Sequence, residues 1–416
     1  MNTNRIYLDD ARIGRMKPTA RLLHNLFLDC ASAFPSSQEL LSIITGDQEH
    51  ALLKRHGWSG INQLRTLAGE QLAKVPGERI CIASRTRSLM FLATQMMRQW
   101  VGHCLLLDNG WPLFHQDLTD VLARNRRRTS MINVRDRLWN ENWTSRQLCD
   151  YICAESKRLR CDGALITAMD SLGTKIPVLD LCRQLRAETS VEFIVVDATQ
   201  SLGQYDCSDQ FSEADLVISS THKWVGSYLP FAIACASNSI TSRKVMEFIS
   251  LAARRLNGFD HLTHFDECLK LGCDTEAPET VNLSCLFTAC GALLDHRSPR
   301  GSIVLKNRTL VEHCVRSSRW KTIGPSYSFQ ERIMVIKPDG IDRVSASTSN
   351  RLRSLMESLG IVITTYDGGI MRLALPCELL SDAQLSTLQL ALTTANDWLT
   401  MEGNSKHEVR TLQLSS

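Results

Sequence analysis

Several absences narrow this 416-residue chain before any motif does. No apolar stretch approaches the ~18 residues that cross a bilayer as a helix. The opening Met1-Asn2-Thr3-Asn4-Arg5 has no charged-then-apolar leader pattern, so a cytoplasmic protein is expected. Internal repeats and low-complexity tracts are missing, which excludes a solenoid or a tethered array. Charge of one sign is scarce: the net charge of +3 is too mild to imply a nucleic-acid partner. The local run Arg124-Asn125-Arg126-Arg127-Arg128 reads as a solvated loop or a helix end. Cysteine is plentiful, with fifteen residues, but no pair is spaced as Cys-x-x-Cys. Without a secretion signal these read as reduced, mostly buried thiols. Cys149 and Cys153 fall one turn apart on an expected helix, yet no His partners them at zinc-finger spacing, so no metal is expected.

What is present is a pattern of alternating strands and helices. At 44% hydrophobic and 22% charged residues the chain can bury a large core and divide into two domains. Residues 20–60 carry helical periods broken by polar residues. From about residue 78, short apolar strands at 80–83, 104–107, 164–168 and 193–197 alternate with amphipathic helices. That alternation implies an α/β fold with a mainly parallel sheet sandwiched by helices, and right-handed crossovers. After about residue 300 the texture changes to strands at 332–336, 360–364 and 371–375, with helices at 343–358 and 381–400. The expected division is an N-terminal segment (1–60), a large domain (61–295) and a small C-terminal α+β domain (296–416).

Two strand ends carry the chemistry. Phe193-Ile194-Val195-Val196 is a buried parallel strand that delivers Asp197 at its C-terminal end, and Leu216-Val217-Ile218 delivers a polar cluster ending in Lys223. In open α/β sheets, ligands bind at the carboxyl ends of strands. A carboxylate and an amine held there suit the two ends of pyridoxal 5′-phosphate (PLP): Lys223 for its aldehyde, Asp197 for its ring nitrogen. Gln200 could hydrogen-bond the ring's phenolic oxygen, and Ser220 and His222 carry donors suited to the phosphate. Taken one at a time, each of these residues has an ordinary reading as a surface lysine, a helix cap or a turn residue.

Together they resemble a family. Val196-Asp197-Ala198-Thr199-Gln200-Ser201-Leu202-Gly203, then Asp215 and Ser220-Thr221-His222-Lys223-Trp224, is similar to the class V aminotransferases. These are fold-type I PLP enzymes that include cysteine desulfurases. Ile6-Tyr7-Leu8-Asp9-Asp10-Ala11 and Gly173-Thr174-Lys175-Ile176-Pro177-Val178 add weaker matches in the right order, so the resemblance spans residues 6 to about 390. It implies a homodimer with shared active sites that acts on an amino-acid-type small molecule.

The resemblance extends to further residues. Ser84-Arg85-Thr86, between a strand and a helix, takes the place of the family's Gly-Ala-Thr-like phosphate turn, at the kind of helix N-terminus that favours an anion. Arg85 departs from the family's small residue. Where the family stacks an aromatic ring on the cofactor, Trp111 is the substitute and His115 its rival. Asp170 stands where the family often has Asn. Thr280 falls where the family's threonine reaches the neighbouring subunit's phosphate, although Glu279 replaces the usual Gly. Arg372, in Met371-Arg372-Leu373-Ala374, matches the arginine that grips a substrate carboxylate with two parallel hydrogen bonds.

The resemblance and the residues together point to a PLP-dependent aminotransferase of a specialised pathway. β-Elimination of the C–S lyase or desulfurase kind is the alternative, and epimerisation stands third. A different class of reading is a catalytically silent scaffold, against which the intact Asp197, Gln200 and Lys223 argue. Persulfide chemistry needs a cysteine on a loop before the arginine strand. The chain from Val362 to Met371 has none, and Cys377 follows Arg372.

Overall fold

The computed structural model describes residues 5–33, 36–47, 50–255, 259–272, 281–296, 301–341 and 344–413. The chain divides into two compact units. The smaller comprises residues 1–12, 171–174 and 299–416, and the larger 13–170 and 175–298. Residues 13–60, set apart by their sequence texture, therefore belong with the larger unit.

The first strand, β1 (Ile6–Tyr7), lies in the smaller unit. The larger unit is built on β2 (Ile80–Ala83), β3 (His103–Leu107), β4 (Arg128–Ile132), β5 (Gly163–Thr167), β6 (Phe193–Asp197), β7 (Leu216–Ser220) and β8 (Ala232–Cys235). They form one seven-stranded sheet in the order β2-β8-β7-β6-β5-β3-β4. β8 runs antiparallel to both its neighbours and the other adjacent pairs are parallel. β5, β6 and β7 are buried at every position, which is why they read as continuous apolar runs rather than alternations. The basic run divides between two elements: Arg124 closes the helix Pro112–Arg124, Arg126 turns with a left-handed φ of 57°, and Arg128 opens β4. β4 is an edge strand with exposed and half-buried positions, so its sequence lacks the apolar signature of its neighbours.

The helix Thr86–Trp100 buries Leu89, Leu92, Ala93, Met96 and Met97 in a cluster with Leu106, Val195, Leu216 and Ile218 of the sheet. Burying the four Leu and Met side chains contributes roughly 1.5–3 kcal/mol each against leaving them in water. Within the smaller unit, β9 (Trp320–Ile323), β10 (Ile333–Pro338), β12 (Thr364–Tyr366) and β13 (Ile370–Ala374) form an antiparallel sheet in the order β12-β13-β10-β9. β1 pairs in parallel with β11 (Ile361–Val362). The expected strand at 360–364 is thus two strands, parted at the buried Ile363, and belongs to two sheets. Leu8, Val311, Met334, Ile336, Leu352, Leu373 and Leu388 share the core of this unit.

Candidate active site at the carboxyl edge of the larger sheet

β6 and β7 are hydrogen-bonded neighbours, with Asp197 opposite Ile218, so their C-terminal ends emerge side by side. Asp197 is buried, and its Oδ1 accepts from the Thr199 N–H at 2.9 Å and from the Thr199 hydroxyl. These bonds fix the carboxylate's rotamer. Gln200 is oriented in turn: its Oε1 accepts from Trp224 Nε1 at 2.8 Å, which turns the amide's donor end away from Trp224. The Ser219 hydroxyl donates to the Ala198 carbonyl at 3.0 Å, tying the two strand ends together. Asp215, buried between Arg186 and the Ile194 N–H, anchors the start of β7 against β6.

The Lys223 turn is clamped from the N-terminal segment. Gly14 N–H donates to the His222 carbonyl at 2.8 Å and Lys17 N–H to the Gly226 carbonyl at 2.9 Å. A Cβ on Gly14 would lie 1.7 Å from the Lys223 carbonyl oxygen, so that close approach requires glycine. Gly226 closes the turn with a φ of +83°.

Among the described residues, Ser220 Oγ, His222 Nδ1 and Thr86 Oγ1, at and beyond the ends of β7 and β2, are buried polar atoms with no hydrogen-bond partner; Ser201 Oγ and Asn109 Oδ1 are likewise unmet. Burial and the neighbouring Lys223 charge push the His222 pKa down to about 4, so its imidazole is neutral near pH 7. Two hydroxyls and a neutral imidazole, left unmet where buried polar groups are normally satisfied, fit a phosphate that accepts hydrogen bonds.

The structure separates the three residues of the expected phosphate turn. Thr86 starts the helix Thr86–Trp100, Arg85 is exposed at its N-cap position, and Ser84 is engaged elsewhere. The Ser84 N–H and hydroxyl both donate to Asp260, a residue that sequence reading missed.

Trp111 and His115 also part company. Trp111 is 50% exposed at the start of the helix Pro112–Arg124, whereas His115, in that helix, is only 5% exposed. Burial lowers the His115 pKa, with Asp197 and Asp108 acting in the opposite direction, so the imidazole lies within the field of the Asp197 carboxylate. A Cβ on Gly110 would fall 2.0 Å from His115 Nε2, showing how closely that ring packs on the β3 strand end. Asn109 is buried there too, its Nδ2 donating to the Thr167 carbonyl at 3.2 Å. Asp170 pairs with Arg135 at 2.9 Å. Thr280 and Glu279 lie outside the described residues.

In the smaller unit, Arg372 is 3% exposed and heavily engaged. Its NH2 donates to Asp9 Oδ1 at 3.0 Å and Thr364 Oγ1 at 3.1 Å, and its NH1 to the Tyr366 hydroxyl at 3.1 Å and the Ser171 carbonyl at 3.2 Å. Nε alone lacks a partner among the described residues. Asp9 stood in the sequence only within the Ile6–Ala11 match, and Thr364 and Tyr366 were not singled out; they sit far from Arg372 in the chain or on the facing strand.

The cysteines for which a shift is resolved are held protonated by burial, with Cys161 near pKa 11 and Cys149, Cys153, Cys207, Cys285 and Cys290 near 12. Among the described residues there is no cluster that could hold a metal ion, and no helix is long and apolar enough to cross a membrane.

Solved structures share this arrangement of elements. A NifS-like protein aligns with a TM-score of 0.66 at 13% identity, covering 95% of this chain and 100% of the other. A ureidoglycine-glyoxylate aminotransferase from Bacillus subtilis aligns at 0.64 and 15% identity, over 95% of both chains. The cystine C–S lyase C-DES, in complex with its product cysteine persulfide, aligns at 0.66 and 14% identity, over 94% of this chain and 98% of its own. The chain has their fold. A second C-DES structure has glycine covalently linked to its PLP cofactor. No protein-family model matches the sequence, and neither does any curated protein.

Proposed function

We propose that the chain is a PLP-dependent enzyme acting on an α-amino acid or a derivative, and that it works as an aminotransferase. The observation that carries this reading is the carboxyl edge of β6 and β7. It presents a fixed Asp197, an oriented Gln200 and the clamped Lys223 together with the unmet Ser220 and His222, while Thr86, likewise unmet, begins the helix after β2 in the same sheet. The fold neighbours support it, since the names of two of them describe an aminotransferase and a PLP-bound enzyme.

PLP, when bound, supplies an electron sink for the bond-breaking step at the substrate's α-carbon. The chain's own residues do the rest. Ser220, His222 and Thr86 would hold the phosphate. Asp197, its carboxylate oriented by Thr199's two donors, would pair with the ring nitrogen. The amide of Gln200 would donate to the phenolic oxygen. Lys223 would supply the amine for the cofactor's aldehyde and a base for the substrate's α-proton. His115, buried in the field of Asp197 while Trp111 stands half in solvent, is the ring that would pack over the cofactor.

The β12–β13 hairpin weighs against a desulfurase that carries a persulfide on its own cysteine. Thr364 faces Arg372 and Tyr366 faces Ile370 across a turn of only Asp367, Gly368 and Gly369, leaving no loop to carry a nucleophilic thiol. The test is a half-reaction: the holoenzyme is mixed with single amino acids and followed by absorbance and product analysis. The reading expects conversion to the pyridoxamine form with release of the matching keto acid. Release of pyruvate and ammonia, with the cofactor returned to its aldehyde form, would establish β-elimination instead.

A further inference from the structure

The turn between β2 and the helix Thr86–Trp100 is divided between two partners. Ser84 spends both its donors inside the protein: its N–H lies 3.0 and 3.1 Å from the two Asp260 oxygens, and its hydroxyl donates to Asp260 Oδ2. The Ser88 hydroxyl, one turn on, donates to the same oxygen at 2.8 Å. Asp260 is itself the N-cap of the helix His261–Leu271, accepting from the Thr263 N–H at 3.1 Å, and it is 5% exposed. A buried carboxylate therefore sits where two helices begin, a position favourable to negative charge from both dipoles. Thr86 differs: its Oγ1 is buried and has no partner among the described residues, and the N-cap Arg85 makes no side-chain cap bond.

We propose that Asp260 is the positioning residue of the phosphate site. By holding Ser84 and Ser88 it fixes the turn so that the Thr86 hydroxyl and the first N–H groups of the helix face the phosphate. Ser84 is then a strut and Thr86 the phosphate ligand. This rests on the PLP reading above and assigns a residue which that reading does not contain. Asp260 acts through geometry alone, since its negative charge would by itself repel a phosphate nearby. The sign of its effect therefore separates positioning from charge.

The experiment compares PLP with pyridoxal, which has the same ring and aldehyde but no phosphate. Both are titrated by absorbance and fluorescence into the apoprotein of wild type, Asp260→Asn, Ser88→Ala and Thr86→Ala, with melting temperatures recorded alongside. Asp260→Asn should weaken PLP by about tenfold, the loss expected when a charge-assisted acceptor is replaced by a neutral one. It should leave pyridoxal unchanged. Ser88→Ala, a milder cut in the same network, should lower the PLP-to-pyridoxal preference in the same direction. Thr86→Ala should lower it most. Equal weakening of both ligands in Asp260→Asn would show that the residue only staples one helix to the sheet. Tighter PLP binding there would show that charge repulsion outweighs positioning. Either outcome overturns the assignment. A wild-type protein that binds neither PLP nor pyridoxal would overturn the PLP reading itself, and this assignment with it.

Discussion

On the proposed reading, the charge of Asp197 sets the chemistry of the site. Its rotamer is fixed by Thr199, so Asp197→Asn changes charge at nearly constant volume. Electrostatic stabilisation lost in a buried site costs about 3 kcal/mol of barrier, or ~100-fold in turnover. That variant should still bind PLP, and stopped-flow half-reactions should show the loss; near-normal turnover would mean that Asp197 does not pair with the ring. Arg372→Lys keeps the charge but loses the planar fork. The Tyr366 hydroxyl is the neutral acceptor that a substrate carboxylate would replace at NH1. The KM should therefore rise about tenfold or more while the cofactor's absorption is retained. A KM unchanged from wild type would mean that Arg372 serves only Asp9 and the hairpin.

His222 makes a pH prediction for the apoprotein. Its folded pKa of about 4 lies below the unfolded value of ~6.5, so between these values the unfolded chain binds the extra proton and stability falls as pH falls. Denaturant midpoints of wild type and His222→Gln should converge as pH drops from 6.5 to 4, with wild type losing more. Parallel curves would contradict the depressed pKa. Asp197, Gln200 and Lys223 were legible as residues at or just after strand ends, because strand end, spacing and residue type fall within a short stretch. Asp260, Gly14 and Asp9 were not, because each acts across the chain on a partner with which it shares no local pattern. Only the Asp260-x-x-Thr263 start of a helix hinted at a cap.

At the scale of elements, the buried strands were the easiest to read, since full burial leaves continuous apolar runs. β4 escaped notice because an edge strand opened by Arg128 looks like a solvated loop. The choice between Trp111 and His115 was equally hidden from sequence: it depends on which residue the helix Pro112–Arg124 turns inward. The N-terminal clamp on the lysine turn gives a sharp prediction. Gly14→Ala would drive a Cβ to within 1.7 Å of the Lys223 carbonyl, a backbone contact that cannot give way. The variant should lose about 1–3 kcal/mol of stability and bind PLP more weakly. Calorimetry and a PLP titration would check both, and wild-type behaviour would show that the clamp yields. The tight β12–β13 turn predicts that labelled cysteine yields no stoichiometric protein persulfide with alanine. Finding one would restore a desulfurase reading.

At the scale of the whole molecule, the parallel sheet and the change of texture near residue 300 were visible in the sequence, and the fold neighbours match over nearly the full chain. The return of residues 1–12 to the C-terminal unit was not visible, because β1 pairs with β11 across more than three hundred residues. The resemblance to class V aminotransferases implies a homodimer, so sedimentation should give about twice the 46.7 kDa of one chain; a monomer with full activity would exclude shared active sites. The account turns on Lys223. Holoprotein reduced with borohydride, digested and mapped by mass spectrometry should carry the pyridoxyl label on Lys223, and Lys223→Ala should show no such label and no turnover. A label on any other lysine, or turnover in Lys223→Ala, would contradict it.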